Sequence, residues 1–148
     1  MTALAAAERS MAIRWETSRF SGSAEPEGRA TTRVSPRAAY QLLIHGRAVL
    51  VDIRPQAKRH AEGEVDPALG PVVLERNLLE WQLDPRRSAR LPWAVQDAGL
   101  LVLGHEGYAS SLAAATLVRL GLTGAMDIAG GLRAWRDAGL PLAERAVA

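Results

Sequence analysis

The sequence predicts an α/β fold, a mostly parallel central sheet covered by helices on both faces. Three observations carry this. From Val34 onward, short apolar runs of strand length alternate with segments whose apolar residues recur at helical spacing. The connections between them are short, so each helix must pack back on the sheet it has just left. At 148 residues and 48% hydrophobic content, the chain has the material for one real core.

The elements follow in order. Ser35 before Pro36 reads as a helix N-cap with proline at the first helical position; Ala39, Leu42 and Leu43 form the apolar stripe and Gly46 the stop. Residues 48–53 are a Val-rich strand closed by Asp52, Arg54 and Pro55, and residues 56–62 a short helix ending at Gly63. Residues 71–74 read as a buried strand, and 78–83 as a turn of helix or irregular cover before Asp84-Pro85. A clear strand at 100–103 leads through a turn at 104–107 into a strong helix from about Ser110 to Leu120, stopped by Gly121. Residues 125–128 form a last strand, Gly130-Gly131 break it, and 132–138 form a final helix stopped by Gly139.

Before Val34 the pattern is different. Residues 18–32 are rich in Ser, Gly, Thr and charge with no sustained period, and read as a loop or linker. Residues 2–15 carry helix-forming alanines and scattered apolar points, which suit either a packed helix or a tail. The expected organisation is an N-terminal extension over 1–33, one domain over 34–142 and a short tail over 143–148.

Composition excludes several function classes. Eighteen Lys+Arg against 16 Asp+Glu leave a net charge of +2, too little field for non-specific binding to nucleic acid or an anionic membrane. The apolar runs at 99–104 and 111–118 are far shorter than the roughly 18 to 20 residues a bilayer span needs. Residues 1–7 lack the basic start and long apolar core of a secretory signal, and Glu8 and Glu16 argue against a transit peptide, so a cytoplasmic location is expected. Cysteine is absent, which removes disulfides, thiolate metal sites, persulfides and every Cys nucleophile.

In a parallel sheet the ligand edge lies beyond the carboxyl ends of the strands. Here that edge is expected from residues 52–55, 75–81, 104–110 and 129–132. The most informative piece is Gly104-His105-Glu106-Gly107-Tyr108-Ala109-Ser110, between a strand and a helix. Two glycines let it curl, and a helix N-terminus directs unsatisfied N–H groups at whatever the curl encloses, the physics of an anion cradle. It lacks the Lys of a Walker loop and the Ser of a nucleophile elbow. A tight turn with no ligand is the alternative.

Taken together, VLVDIRP, GEV, ERNLLEWQLDP, EGYASSLAAATLVRLGL and DIAGGLRAWRDAGLP resemble a rhodanese-like domain, closely the small bacterial single-domain kind, from about Val34 to Leu142. The resemblance implies the fold named above and sulfur transfer through a persulfide on a loop Cys. It places that Cys at Gly104, with the loop's later glycine at Gly107. A glycine has nothing to bond sulfur with, and neither Ser110 nor Ser111 has a base clearly positioned beside it. At Ala109, many relatives carry an Arg that would clamp an oxyanion, so the cradle is weaker here. DPALGPVVL also replaces a compact Pro-Gly turn.

The expectation is a domain that has lost its nucleophile and acts as a binding or regulatory module, with thiosulfate, sulfate or phosphate as the anion and no cofactor, metal or nucleic acid. The alternatives are a sulfurtransferase with its thiol supplied by a partner, or with Gly104 standing in for a working Cys, and a scaffold or oligomerisation domain. Around the loop, Asp52, Arg54, Arg76 and Trp81 are candidate pocket-rim residues. Against that, Asp52 suits capping of local N–H groups with Arg54 on a carboxylate, and Trp81 and Trp135 suit wall and core packing. His105 can meet an anion or Glu106, or simply face solvent; His45 and His60 suit helix C-termini and form no metal triad with it. Arg86, Arg87 and Arg90 read as a solvated face.

Overall fold

A computed structural model describes residues 32–88, 90–94 and 98–144. The helix-or-tail at 2–15, nearly all of the linker at 18–32 and the end of the C-terminal tail lie outside the described residues. The elements in chain order are β1 (Thr32–Val34), α1 (Pro36–Ile44), β2 (Val49–Asp52), α2 (Gln56–Glu62), β3 (Val72–Val73), α3 (Leu79–Leu83), β4 (Leu100–Leu103), α4 (Tyr108–Arg119), β5 (Ala125–Ile128) and α5 (Gly131–Asp137). Single 3-10 turns at Pro67–Leu69 and Arg76–Leu78 flank β3. The strands form one five-stranded sheet in the order β1-β5-β4-β2-β3, every pair parallel.

The side-chain alternation of the strands divides the core into two layers. Leu50, Leu101, Leu103, Met126 and Ile128 face α1 and α5, packing with Leu42, Leu43, Leu132 and Trp135. Val49, Val51, Leu100, Val102 and Ala125 face α3 and α4, packing with Leu79, Leu83, Ala113, Ala114 and Leu117. Both faces are covered, which is why β2 and β4 are apolar without interruption up to Asp52 and Leu103.

The helix signals act as local chemistry dictates. Ser35 Oγ accepts the Ala38 N–H at 3.1 Å and Pro36 opens α1. His45 is its C-cap, with Nδ1 2.7 Å from the Gln41 carbonyl. Trp135 is fully buried, edge-on to Tyr40, and donates its Nε1 hydrogen to the Pro141 carbonyl at 3.0 Å.

Four departures from the sequence reading have physical causes. The strand expected to be buried over 71–74 is the two-residue β3 (Val72–Val73) at the sheet edge, where Val73 is exposed. β1 reaches back into the stretch expected to be a linker: Thr32 and Arg33 carry no apolar signal, and pairing with Met126, Asp127 and Ile128 of β5 makes them a strand. α4 starts at Tyr108, two residues before the expected Ser110, because Gly107 takes φ +96° and lets the chain turn directly into the helix. α5 likewise starts one residue early, at Gly131. Among the described residues no helix is long and apolar enough to cross a membrane.

Candidate functional site

The 104–107 loop leaves the end of β4, in the interior of the sheet. Its carbonyls are turned toward α5: Leu132 N–H donates to the Gly104 carbonyl at 2.9 Å and Arg133 N–H to that of His105 at 3.2 Å. Two of the free donors in the first turn of α5 are thus satisfied by the loop. At the far end of the loop, the Gly107 carbonyl accepts Ser111 N–H at 3.2 Å and Ser110 Oγ at 3.1 Å. Among the described residues, the backbone N–H groups of 105–110 find no hydrogen-bond acceptor.

The loop's glycines play different parts. A Cβ on Gly131 (φ +61°) would lie 2.5 Å from the Gly104 carbonyl oxygen, and one on Gly107 (φ +96°) 2.9 Å from the Gly130 nitrogen. These two permit the close approach of loop and helix. Gly104 is outside the left-handed region, and a Cβ there would make ordinary contact with Ser110, 3.4 Å from its nitrogen and Cβ and 3.5 Å from its Oγ. Its missing side chain is directed at the first turn of α4, and the backbone does not require a glycine.

Of the expected rim residues, Asp52 and Arg54 are buried and bound to each other. Arg54 Nη2 and Nε reach Asp52 Oδ2 and Oδ1 at 2.7 and 3.0 Å, and the Arg54 N–H donates to Asp52 Oδ1 at 3.1 Å. Arg54 Nη1 also reaches Glu62 Oε1 at 3.4 Å. From Glu62 the chain of charges runs on to the loop: His105 Nδ1 lies against Glu62 Oε2, His105 Nε2 is 3.3 Å from Glu106 Oε1, and Arg133 Nη1 is 3.2 Å from that same oxygen. A line of ionisable side chains therefore joins β2, α2, the loop and α5.

Arg76 and Trp81 stay outside this network. Arg76 pairs with Glu80 at 2.6 Å, and Trp81 is half exposed, which corrects its reading as packing. Tyr108 and Ala109 are exposed at the start of α4, and Ser110 is fully buried beneath them. Glu62 and Arg133 were missed by the sequence reading. Their signal was positional: Glu62 is the last residue of α2, and Arg133 follows the Gly-Gly pair by two. A concavity of about 250 Å³ lies elsewhere, beside β3, lined by Asp52, Glu64, Val65, Pro67, Gly70, Pro71, Val73 and Ala143. None of the loop residues lines it.

This architecture is the rhodanese-like fold. A Rhodopseudomonas palustris CGA009 protein of unknown function, described as a possible tyrosine phosphatase, superposes with a TM-score of 0.68 at 28% identity, over 88% of this chain and 91% of its own. The human single-domain sulfurtransferase TSTD1 superposes with a TM-score of 0.59 at 28% identity, over 71% and 95%. A rhodanese-related protein from Thermoplasma volcanium gives 0.57 at 20% identity, over 74% and 95%. No protein-family model matches the chain, and no curated protein does.

Proposed function

We propose that this chain is a rhodanese-family domain that has lost its nucleophile and works as a binding or regulatory module, with the 104–110 loop receiving a small anion. The observation that carries this is the geometry at Gly104. Its absent Cβ points at the first turn of α4, its backbone is ordinary, and the loop amides around it are uncommitted. Resemblance puts the reactive sulfur of relatives at this position, and the chain has no cysteine anywhere to replace it. What is left is a loop with uncommitted N–H donors that leads into a helix N-terminus, which suits thiosulfate, sulfate or phosphate.

The competing reading is sulfur transfer, favoured by the likeness to the human single-domain sulfurtransferase. It requires a thiol from a partner. Incubation of the purified protein with thiosulfate and cyanide is expected to yield no thiocyanate above background, and sustained turnover would overturn the proposal. Gly104→Cys is expected to restore persulfide formation: the thiolate attacks the sulfane sulfur of thiosulfate, a new S–S bond forms and sulfite leaves with the electron pair. Mass spectrometry showing no added sulfur on that variant would count against the assignment of position 104. Anion binding is read from thermal unfolding, because a ligand held by the native state at 100 times its Kd adds about 2.7 kcal/mol. No rise in Tm with any of the three anions at millimolar concentration favours a scaffold.

A further inference from the structure

At the end of the sheet opposite the 104–110 loop, the chain leaves α3 through a closed surface loop. Its base is pinned by the Leu91 N–H, which donates to the Gln82 carbonyl at 2.8 Å. Its turns are held by the Arg87 N–H on the Asp84 carbonyl at 3.1 Å and the Arg90 N–H on the Arg87 carbonyl at 3.2 Å. The loop carries Arg86, Arg87 and Arg90, all exposed. The buried Asp84 is the carboxylate beneath them, and the Arg86 fork takes both its oxygens, Nε on Oδ1 and Nη2 on Oδ2, each at 3.0 Å. Arg87 has one long contact, Nε to Oδ2 at 3.7 Å, and the Arg90 side chain has no ion pair among the described residues.

Pro85 brings in a fourth cation. Its Cγ lies 4.0 Å from where a Cβ on Gly121 would stand, so the loop abuts the end of α4. The last residue of that helix, Arg119, is exposed, with Nη2 3.2 Å from the neutral Thr116 hydroxyl. Four guanidiniums against one carboxylate leave a local surplus of three positive charges, more than the net +2 of the entire chain.

We propose that the 84–91 loop and Arg119 form a docking surface for an acidic segment of a partner protein. Guanidinium forks match planar carboxylates, and a concentrated charge steers the approach of its complement. Nucleic acid is the poorer fit, because Trp93, the aromatic residue of this stretch, is buried and offers no face for a base. An anionic membrane fits poorly too, since Leu91 and Trp93 pack in the core and leave no apolar side chain to insert. The 12 residues of α4, about 18 Å of helix, separate this surface from the 104–110 loop, so the proposal stands whatever that loop binds.

Fluorescence anisotropy of a labelled peptide of alternating Glu and Ser, titrated with the full-length protein, reads the surface. Binding is expected to weaken as salt rises. The double variant Arg87→Gln/Arg90→Gln is expected to bind roughly three- to thirtyfold more weakly, the scale of two exposed ion pairs. The control removes the same charge from the other face of the sheet: Arg37→Gln/Arg136→Gln, both exposed, on α1 and α5, is expected to stay within about twofold of the parent. Equal losses in the two double variants overturn the proposal, because binding then follows net charge, and so does an absence of binding at low salt. A single-stranded DNA of the same charge that binds more tightly than the peptide, and loses that affinity in Arg87→Gln/Arg90→Gln, overturns it in favour of nucleic acid. Arg90→Gln alone removes a side chain with no ion pair to lose, and gives the same comparison should the Tm of the double variant fall.

Discussion

At the scale of single residues, the decisive distinction is between glycines that the backbone needs and one that it does not. Gly107 and Gly131 sit at positive φ, with backbone atoms where a Cβ would go. Gly107→Ala and Gly131→Ala are each expected to cost about 1–3 kcal/mol, from left-handed strain and overpacking together. Gly104→Ala, by contrast, is expected to lie within about 1 kcal/mol of the parent, because its Cβ meets Ser110 at ordinary distance and the change stiffens the unfolded chain. Urea unfolding of the three variants checks the order, and a Gly104→Ala as damaging as the other two would sink the claim that position 104 is a vacated side chain. The part in the curl given to Gly104 is corrected, since its backbone lies outside the left-handed region, whereas the turn at Gly107 and the helix after it were legible in the sequence. The two glycines pressed together across the α5 contact were not, since that need arises only when residues 107 and 130 meet in space.

At the scale of elements, the strand ends and helix caps carry the buried charge. The Asp52–Arg54 pair closes β2, two residues apart and both buried, so the Asp-x-Arg sequence folds into a closed bidentate loop with no charge left for a ligand. The end of α3 repeats the device with a buried Asp84 and an exposed Arg86. Hydrogen bonding by Arg86, from its side chain and its backbone, holds the Asp84 carboxyl down to about 2. A carboxyl lowered in the folded state contributes stability above the ordinary carboxylate range and loses it as pH falls through the folded value. Denaturation midpoints between about pH 4 and about pH 2 are expected to fall more steeply for the parent than for Asp84→Asn, and equal slopes would refute it. Arg86 and Arg87, expected as a solvated face, are at the surface but share this one carboxylate. Elements with a full apolar stripe or a cap were readable from the sequence. β1 was not, because only Val34 of its three residues is buried and its partner strand comes 94 residues later.

At the scale of the whole molecule, fold class was the most legible property, since both faces of a parallel sheet must be covered and the apolar runs and helical stripes alternate accordingly. Strand order was harder, because no local feature says that β1 and β4 both choose β5. That choice has a consequence for the molecule's birth on the ribosome. Among the described residues the first strand pairs only with the last, so Arg33 waits for Asp127 until residue 127 has emerged. Through most of translation β1 is an unclaimed edge and α1 an uncovered stripe, the exposures that invite chaperones and aggregation. A nascent chain arrested after Gly124 is expected to be protease-sensitive along its length, and one arrested once α5 has cleared the exit tunnel resistant; protection arriving before β5 would mean that the early strands find a different partner first.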